Sequence, residues 1–450
     1  MIGDQFQPEP ATGPRNPIHH LRWWIGGLLL ASTVINYIDR QTLSLLAPFL
    51  KIQYHWTNTD YAAIVIAFRI AYSIGQSACG RLVDRIGARR GLSLTVAWYS
   101  LVSILTPLAN GFWSFAGLRF LLGAGESGNW PAATKVVGEW FPRQERALAT
   151  AFFDSGSSLG SAIAPFLVLG IYFRWGWRPA VMIPGTLGFF WIMCWRALYS
   201  PIASHPRLSA DERDLITESP AGKQLPLESP GAPKEKTPWL GLLKLRRTWA
   251  IVAAKAFTDP VWYFVADWFP IYLVAKGINL QGSLLAIWIP FLATDAGNFF
   301  SGWLSGLLIR RGWPLIAARK ALIVGGGIGV LLLIPTVFTA NVYVITALFA
   351  LSTFAYGCFT TIANVLPADL FENASVASVS GISNTSAGLC TVIAFLFVGL
   401  VSDARSAAAL HSFDPIVISA GLLPFLGMIL VLVLLGKDAP RDLSSLENRL

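Results

Sequence analysis

Four charged residues stand in stretches of sequence that are otherwise apolar, and their types suit the handling of an anion and of protons. Asp39 and Arg40 are adjacent within "INYIDRQTLSLL", whereas Arg119 and Glu126 lie seven residues apart within "LRFLLGAGE". On a helix, Arg119 and Glu126 would share one face at a separation of about 10 Å along the axis. Asp39 and Arg40 would point about 100° apart, so each needs a partner on another helix or on a ligand.

The chemistry that these residue types support is the binding of a carboxylate together with proton uptake. A guanidinium group can hold a carboxylate through two parallel hydrogen bonds. Burial raises the pKa of a carboxyl group and a nearby arginine lowers it, so an anion that draws the arginine away lets the acid take up a proton. The four residues therefore predict a proton-coupled anion site, with Asp39 pairing with Arg119 when the site is empty. A static network of buried ion pairs that fixes helix packing is the alternative.

The elements that must position these residues are membrane helices. Of the 450 residues, 54% are hydrophobic and only 13% are charged, and the mean hydropathy is +0.55. Soluble globular proteins carry about 25% charged residues, and a membrane helix needs about 20 mostly apolar residues, which many runs of this sequence supply. The runs are continuous, whereas the strands of a membrane β-barrel alternate apolar and polar residues. We therefore predict an all-α membrane protein.

The apolar runs predict twelve transmembrane helices in two sets of six, separated by a polar, proline-rich segment. The first set is expected at 22–50, 58–83, 89–109, 112–136, 145–172 and 178–199. The second set is expected at 248–274, 283–309, 315–338, 341–366, 375–401 and 414–436. The predicted organisation is a cytoplasmic N-terminal tail (1–21), an N-terminal six-helix bundle (22–199), a cytoplasmic linker (200–247), a C-terminal six-helix bundle (248–436) and a cytoplasmic tail (437–450).

The distribution of Lys and Arg predicts the orientation in the membrane. The loops on one side of the predicted helices, together with the linker, carry most of the basic residues, and the positive-inside rule places that side in the cytoplasm. We therefore expect a multi-pass protein of the inner cell membrane with both termini cytoplasmic. Residues 1–20 are polar and proline-rich, so no cleavable signal peptide is predicted.

Other features of the sequence predict no chemistry. Within the linker, Ser209 and Glu212 have the spacing of a capping box and predict a short surface helix over Ser209–Ile216, to which we assign no function. The cysteines all fall in apolar segments without metal-ligand spacing, so we expect neither a disulfide nor a metal site. They are Cys79, Cys194, Cys358 and Cys390. We expect no cofactor.

An internal repeat links the two predicted bundles. The segment "GRLVDRIGARRG" (80–91) joins the second and third helices, and "GWLSGLLIRRGW" (302–313) joins the eighth and ninth. Both segments begin with Gly-x-Leu and end in a basic turn that contains glycine. Equivalent loops in two six-helix sets imply parallel, pseudo-symmetric bundles with a site at their interface.

The first of these loops, "GRLVDRIGARR", resembles the signature loop of the major facilitator superfamily. The segments "NYIDRQTLS", "RFLLGAGESGNWPAATKVVGEWFPRQERALAT" (119–150) and "DPVWYFVADWFPIYL" (259–273) are similar to those of the anion:cation symporter family, and within it of the bacterial hexuronate transporters. The resemblance covers nearly all of 22–436 and implies the major facilitator fold, two pseudo-symmetric bundles of six helices. It also implies a gating loop that latches the closed cytoplasmic side, with Gly80, Asp84, Arg85, Gly87 and Arg89.

The resemblance implies roles for the four charged residues named first. In the resembled family, the positions that match Asp39 and Glu126 carry protons. The position that matches Arg40 binds the substrate carboxylate, and the position that matches Arg119 regulates the two acids.

Polar and aromatic side chains extend the predicted binding site. Tyr37 lies three residues from Arg40 and shares its face, while Arg69, Tyr72 and Gln76 form a stripe on the second helix. Tyr37, Tyr72 and Asn384 also match ligand positions of the resembled family. Packing between helices, interfacial tryptophan belts and interhelical hydrogen bonds are the alternatives. The predicted substrate-binding residues are Arg40, Tyr37, Tyr72, Arg119, Gln76, Asn384, Trp262 and Trp268, and weaker second-half candidates are Tyr263, Asn298, Thr360 and Thr361.

Two departures from the resembled pattern leave the identity of the sugar acid open. The fifth helix has Asp154 where the hexuronate group more often has asparagine, which adds an acid beside the cavity. The eleventh helix reads "SGISNTSAG", which is more polar than the Gly-rich version in hexuronate carriers. Asp259 and Asp295 fit the family pattern, and Lys255 is expected near the cytoplasmic end of the seventh helix. We otherwise expect the centre of the second half to be poor in charge.

These features predict a monomeric, proton-coupled secondary transporter that imports a sugar acid, a hexuronate such as glucuronate or galacturonate, by alternating access. Other organic anions remain open: an aldonate, an aldarate such as glucarate, or an aromatic acid. A facilitator or an exporter would not need two titratable acids beside two arginines. A membrane enzyme would need a histidine, a metal cluster or a nucleophile–base pair within the membrane, and all five histidines lie in loops or at helix ends. A receptor is disfavoured by the short tails, a primary pump by the absence of an ATP-binding motif, and a nucleic-acid partner by the placement of the basic residues.

Overall fold

The computed structural model describes residues 17–217, 239–276, 284–404 and 413–436, and over these ranges the chain is helical and contains no strand. Short 3₁₀ segments lie over Thr106–Leu108 and Val330–Phe338. The segments 1–16, 218–238 and 437–450 lie outside the described residues, so the limits of the tails, the linker and the bundles stay predictions. The helices are α1 (Leu21–Tyr54), α2 (Asn58–Ile86), α3 (Ala88–Leu105), α4 (Phe112–Glu126), α5 (Asn129–Trp140), α6 (Arg146–Asp154), α7 (Gly156–Trp175), α8 (Trp177–Leu198), α9 (Ala210–Thr217), α10 (Trp239–Leu242), α11 (Arg246–Ala275), α12 (Leu284–Arg310), α13 (Leu315–Gly329), α14 (Val342–Leu370), α15 (Val376–Ala404) and α16 (Asp414–Leu435).

The all-α fold predicted from the apolar runs is confirmed in the described ranges. Apart from the short helices α9 and α10, the helices form twelve long segments, because α4 and α5 make up one bent segment and α6 and α7 make up another. Among the described residues, eight helical spans are long and apolar enough to cross a membrane. The helices α1 and α11 are not among these eight, and both carry charged residues along their length.

The two bends follow the same order of residue types: an acid, a serine and a glycine. Helix α4 ends at Glu126, and the hydroxyl of Ser127 donates to the carbonyl oxygen three residues earlier at 2.7 Å. Helix α6 ends at Asp154, and the hydroxyl of Ser155 does the same at 2.8 Å. A serine that bonds back to the preceding turn competes with the helical hydrogen bonds and bends the helix. Both acids therefore stand at helix bends inside long membrane segments.

The contacts between the two halves follow the pseudo-symmetry that the repeat predicts. Helix α2 packs along α15, and α12, which is equivalent to α2, packs along α6. A Cβ atom at Gly80 would overlap the backbone of Ala377, and one at the equivalent Gly302 would overlap the backbone of Leu148. Glycine at the head of each repeated loop therefore allows a helix of one half to approach the backbone of the other half closely.

Small residues also fix the position of α1, which carries the first two charged residues. Helix α7 lies against α1, and a Cβ atom at Gly160 would meet the carbonyl oxygen of Val34 and the Cβ of Tyr37 at less than 3 Å. Membrane helices lack a hydrophobic force between them, so close packing at small residues does much of the work of association. The face of α1 with Tyr37 is thereby set against α7.

The predicted linker helix exists, and its partner is the beginning of α1. The Ser209 hydroxyl accepts from the backbone N–H of Glu212 at 3.3 Å, which is the first half of the predicted capping box. The Glu212 carboxylate does not complete the box, because it accepts from the backbone N–H groups of Leu21 and Arg22 at 3.0 and 3.2 Å. It also pairs with the Arg22 guanidinium at 2.7 Å, and Arg22 bonds to Glu145 at 2.8 Å.

This carboxylate does for α1 what an N-cap side chain ordinarily does. The residue that precedes α1, His20, has a left-handed backbone and forms no side-chain cap. The first N–H groups of a helix have no partner within the helix and carry the positive end of its dipole. Glu212 is buried and supplies the missing acceptor, so the linker helix that was assigned no function has a structural one.

We expect Glu212→Ala to lower the free energy of unfolding by about 3 kcal/mol, because it removes charge-assisted hydrogen bonds and leaves Arg22 with one fewer acidic partner. The measurement is the denaturation midpoint of the purified protein in detergent. Asp214→Ala, on the exposed side of α9, is the control and should leave the midpoint unchanged. Equal midpoints for Glu212→Ala and wild type would show that the cap contributes nothing.

Candidate functional site

The centre of the site is an ion pair between the first and fourth membrane segments. Arg40 of α1 donates to one oxygen of Glu126, Oε2, through Nη2 at 2.9 Å and through Nε at 3.2 Å. The Glu126 side chain is fully buried, whereas that of Arg40 is 22% exposed. The second oxygen, Glu126 Oε1, has no hydrogen-bond partner in the described part of the chain. The pair is therefore sealed on the acid's side and open on the arginine's side.

Three aromatic rings surround the guanidinium group of Arg40. Its central carbon lies 4.9 Å from the ring centroid of Tyr37, 4.5 Å from Tyr72 and 5.2 Å from Phe68. Cation–π contacts of this kind stabilise an arginine that water does not fully solvate. The sequence indicated the two tyrosines and missed Phe68, although Phe68 precedes Tyr72 by four residues and shares its helix face.

The other two charged residues do not form the predicted contact. Asp39 is 3% exposed and accepts a hydrogen bond from the Ser103 hydroxyl at 3.2 Å. Arg119 is 6% exposed and has no ion pair among the described residues, although it lies within electrostatic range of Asp39 and Glu126. The predicted pairing of Asp39 with Arg119 is therefore wrong for this structure, because Asp39 bonds to a hydroxyl of α3. Ser103 gave no signal in the sequence.

Polar groups without partners lie on the helices that flank this pair. Gln76 is buried on α2 where the halves meet: a Cβ atom at Gly381 of α15 would overlap its backbone. Gln76 Oε1 and the Nδ2 of Asn36, one turn before Arg40, have no hydrogen-bond partner among the described residues. A buried amide without a partner is destabilising by about 1 to 3 kcal/mol, so these groups suit a ligand or water.

The predicted substrate-binding residues of the second half lie in different environments. Trp262 stacks on Tyr356 with ring centroids 5.8 Å apart, and Tyr263 lies 5.3 Å from the guanidinium of Arg69. Asn384 is half-buried on α15. Asn298 accepts from the Thr361 hydroxyl at 2.9 Å, which is an interhelical packing bond, and Thr360 is buried. The side chain of Trp268 lies outside the described residues.

The centre of the second half is not poor in charge, contrary to the expectation from sequence. Lys255 is buried rather than near the end of its helix, and its Nζ lies 3.0 Å from Asp259 Oδ2 and 2.9 Å from Asn364 Oδ1. Asp154 of the first half lies within electrostatic range of Lys255, Asp259 and Asp295. Hydropathy did not reveal this group, because its charges are spread over three apolar segments, one each in α6 and α12 and two in α11.

The predicted gating loop contacts the other half through the N-terminus of α15. Asp84 accepts from the N–H groups of Ala377 and Ser378 at 3.3 and 2.7 Å and pairs with Lys135 at 2.8 Å. Lys135 also donates to the carbonyl oxygen of Asn373. A carboxylate at a helix N-terminus meets unpaired N–H groups and the positive end of the dipole. Asp84 therefore joins the halves at the end of the molecule that bears the basic loops.

The other residues of the predicted gating loop do not contact the second half in this way. Gly87 has φ of +81° between α2 and α3, a conformation that suits glycine. Arg89 donates to the carbonyl oxygen of Arg196 at 2.7 Å within the first half, and Arg85 is exposed.

A second group of contacts at this end was missed in the sequence. Asp369 of α14 pairs with Arg319 at 2.8 Å and with Arg146 at 3.2 Å, and Arg146 also donates to the carbonyl oxygen of Ala368 at 2.6 Å. Arg319 belongs to α13 and Arg146 to α6, so Asp369 connects both halves. These residues stand at or near helix ends beside loops rich in basic residues, where orientation in the membrane was the stronger signal.

Comparison with known proteins identifies the family. The model of the Major Facilitator Superfamily matches residues 29–394. The chain belongs to the Major Facilitator Superfamily. The hexuronate transporter of Escherichia coli (strain K12) is 30% identical over 86% of this chain and 89% of that protein. The probable galactarate/D-glucarate transporter GarP of the same strain is 30% identical over 93% of this chain and 95% of that one. In fold, the chain is similar to the solved proton:xylose symporter XylE, with a TM-score of 0.67 at 14% identity over 91% of this chain and 94% of that one.

Membership of the superfamily confirms the predicted family and fold and excludes an enzyme as the class of protein. The chain is a multi-pass membrane transporter. Its two halves contact each other at the end that bears the basic loops. The contacts are made by Asp84, by Asp369 and by the glycines that begin the two repeated loops, Gly80 and Gly302. That these contacts act as a latch stays a prediction.

To test whether these contacts act as a latch, a larger side chain can be placed at Gly80, where the two halves approach closely. We expect Gly80→Val to separate the ends of α2 and α15 by several ångströms, because the added side chain overlaps the backbone of the other half. The measurement is the distance distribution between nitroxide labels at the exposed Arg85 and Glu372. Gly117→Val, where an added Cβ meets no atom within 4 Å, is the control. An unchanged distribution in Gly80→Val would contradict the latch.

Proposed function

We propose that this protein is a proton-coupled importer of a sugar acid of the hexuronate class, working by alternating access. The observation that carries the proposal is the Arg40–Glu126 pair: a fully buried acid held by an arginine whose other side is open. The names of the most similar relatives support the substrate class, since the hexuronate transporter of Escherichia coli aligns over most of both chains.

Competition for Arg40 is the basis of the proposed coupling. Its Nε and Nη2 donate to Glu126, Nη2 also donates to Asn36 Oδ1 at 3.4 Å, and Tyr72 lies within hydrogen-bonding range of the guanidinium, whereas no donation from Nη1 is found among the hydrogen bonds of the described residues. A substrate carboxylate would bind this free edge and draw the guanidinium away from the acid. Glu126 would then be a buried carboxylate without a partner, which is costly enough that it takes up a proton. Substrate and proton therefore bind together.

The charge balance explains why protons are needed. The membrane potential, negative inside, opposes the entry of an anion by about 2.3 kcal/mol per charge at 100 mV. One proton on Glu126 makes transport of a monocarboxylate electroneutral, and a second on Asp39 lets the potential drive uptake. Arg119 has no ion pair in the described residues and lies within range of both acids, so it is placed to keep either of them ionised until substrate arrives.

Recognition of the sugar itself falls to the polar groups around the pair. Tyr37 and Tyr72 flank Arg40, and Gln76 Oε1 and Asn36 Nδ2 offer an acceptor and a donor without partners. Trp262 presents an aromatic ring from the opposite half, suited to the apolar face of a pyranose. In this proposal the predicted binding residues act together at the interface of the halves.

The contacts between the halves suit the outward-facing state of such a transporter. We place the closed end in the cytoplasm because it bears the basic loops. The protein would lie in the inner membrane as a monomer with both termini cytoplasmic. Aldonates and aldarates are the second candidate class, since relatives named as galactonate and galactarate/D-glucarate transporters match with similar coverage, and aromatic acids remain a third.

We expect proteoliposomes with the wild-type protein to accumulate radiolabelled galacturonate or glucuronate when a proton gradient is directed inwards. Arg40→Ala should lower this uptake at least about 100-fold, because truncating one partner of a buried charged contact is destabilising by about 3 to 5 kcal/mol. Ser44→Ala, on the exposed side of the same helix, is the control. Absence of uptake of either sugar acid by folded protein would overturn the hexuronate assignment, and equilibration without need of the gradient would overturn coupling.

Glu126→Gln separates coupling from binding. A glutamine cannot take up a proton and holds Arg40 only through a neutral amide oxygen, so we expect exchange of labelled for unlabelled substrate to persist while gradient-driven accumulation is lost. The measurement is counterflow alongside uptake in the same vesicles. Accumulation at the wild-type level in Glu126→Gln would show that Glu126 is structural.

A further inference from the structure

Across the interface from Arg40 lies a group of acids around one lysine. The Lys255 ammonium is already bound by two acceptors, Asp259 Oδ2 at 3.0 Å and Asn364 Oδ1 at 2.9 Å. The other oxygen, Asp259 Oδ1, is buried and has no hydrogen-bond partner among the described residues. The charge of this lysine is therefore already paired with an acid of its own helix.

Asp154 and Asp295 complete the group, and we call Asp154, Asp259, Asp295 and Lys255 together the acidic wall. Asp154 belongs to the first half and the other three to the second, and Asp154 lies within electrostatic range of all of them. The wall thus spans the interface between the halves, and its carboxyl groups outnumber its ammonium group three to one.

Through Tyr37, the acidic wall lies close to the surroundings of Arg40. Tyr37 lies 4.9 Å from the Arg40 guanidinium and also within electrostatic range of Asp154. On the opposite side, Tyr356 stacks on Trp262 and lies within range of Asp154 and Asp259. At a rise of 1.5 Å per residue, Asp154 lies roughly 9 Å closer than Glu126 to the end of the molecule that bears the basic loops. A ligand whose carboxylate binds Arg40 would therefore extend its other end towards the wall.

We propose that the acidic wall restricts the substrate to monocarboxylates whose far end is uncharged and carries hydroxyl groups. When the three carboxyl groups are ionised, they repel a second carboxylate. When protonated, they donate hydrogen bonds to hydroxyl groups but provide no cation for an anion. In either state, aldonates and hexuronates are favoured over aldarates. Asp154 is thereby a specificity-determining residue, and the inference rests on the proposed function.

The test uses two open-chain sugar acids that differ at one end only: galactonate, which ends in a hydroxymethyl group, and galactarate, which ends in a second carboxylate. Each competes with labelled galacturonate for the purified protein. We expect galactonate to bind about 30-fold more tightly, since a like charge about 8 Å away at an effective dielectric constant of about 20 corresponds to roughly that factor. Asp154→Asn and Asp295→Asn should each reduce the ratio about fivefold by strengthening galactarate binding. Asp214→Asn, which removes an exposed acid far from the cavity, should leave it unchanged.

Each outcome decides between the two proposals. Galacturonate binding with no preference for galactonate over galactarate overturns the acidic wall and leaves the proposed function standing. An unchanged ratio in both variants, with denaturation midpoints like that of wild type, overturns it as well. Binding of no sugar acid by folded wild type overturns the proposed function and the wall together. If one variant fails to fold, the other decides.

Discussion

The ion pair between Arg40 and Glu126 is the interaction around which the first half is built. A charge at the centre of a bilayer is disfavoured by about 3 kcal/mol even on the mildest scale, so each of these residues needs the other. Their helices must then cross at one height, with the acid sealed and the arginine at the edge of a cavity. The aromatic rings of Tyr37, Phe68 and Tyr72 hold the guanidinium without satisfying all its donors. In the proposed mechanism a substrate carboxylate can therefore replace Glu126, which a static pair with all donors satisfied would not allow.

The bends in the membrane segments serve the same requirement. Glu126 and Asp154 each end a helix, and each is followed by a serine that bonds to the preceding turn and by a glycine. One local device thus places an acid at a bend on each side of the cavity. The first acid faces an arginine of its own half, whereas the second faces Lys255 and two acids of the other half. In our two proposals it is the surroundings, rather than the local sequence, that make one acid part of an anion site and the other part of a wall that repels an anion.

Carboxylates at helix N-termini hold the end of the molecule with the basic loops. Asp84 binds the start of α15 in the other half, and Glu212 binds the start of α1 in its own half. Both exploit the unpaired N–H groups and the dipole of a long helix. The Asp84 contact joins the two halves, which would separate in the proposed transport cycle, and water can replace each of its hydrogen bonds. The Glu212 contact is buried, ties the linker helix to α1, and suits a joint that stays closed.

The amino-acid sequence by itself determined the helices, the repeat and the list of buried charges, because hydropathy and spacing act along the chain. It placed Arg40 with Tyr37 on one face and Arg119 with Glu126 on another, and it identified the glycine and the acid of the gating loop. Only the tertiary structure decided the partners: Glu126 for Arg40, Ser103 for Asp39, Asp259 for Lys255, and the start of α15 for Asp84. Helical periodicity fixes the direction in which a side chain points. The residue that it contacts depends on how the neighbouring helices are rotated about their axes and shifted along them. That rotation and height come from the packing of small residues such as Gly80 and Gly160, which periodicity does not encode.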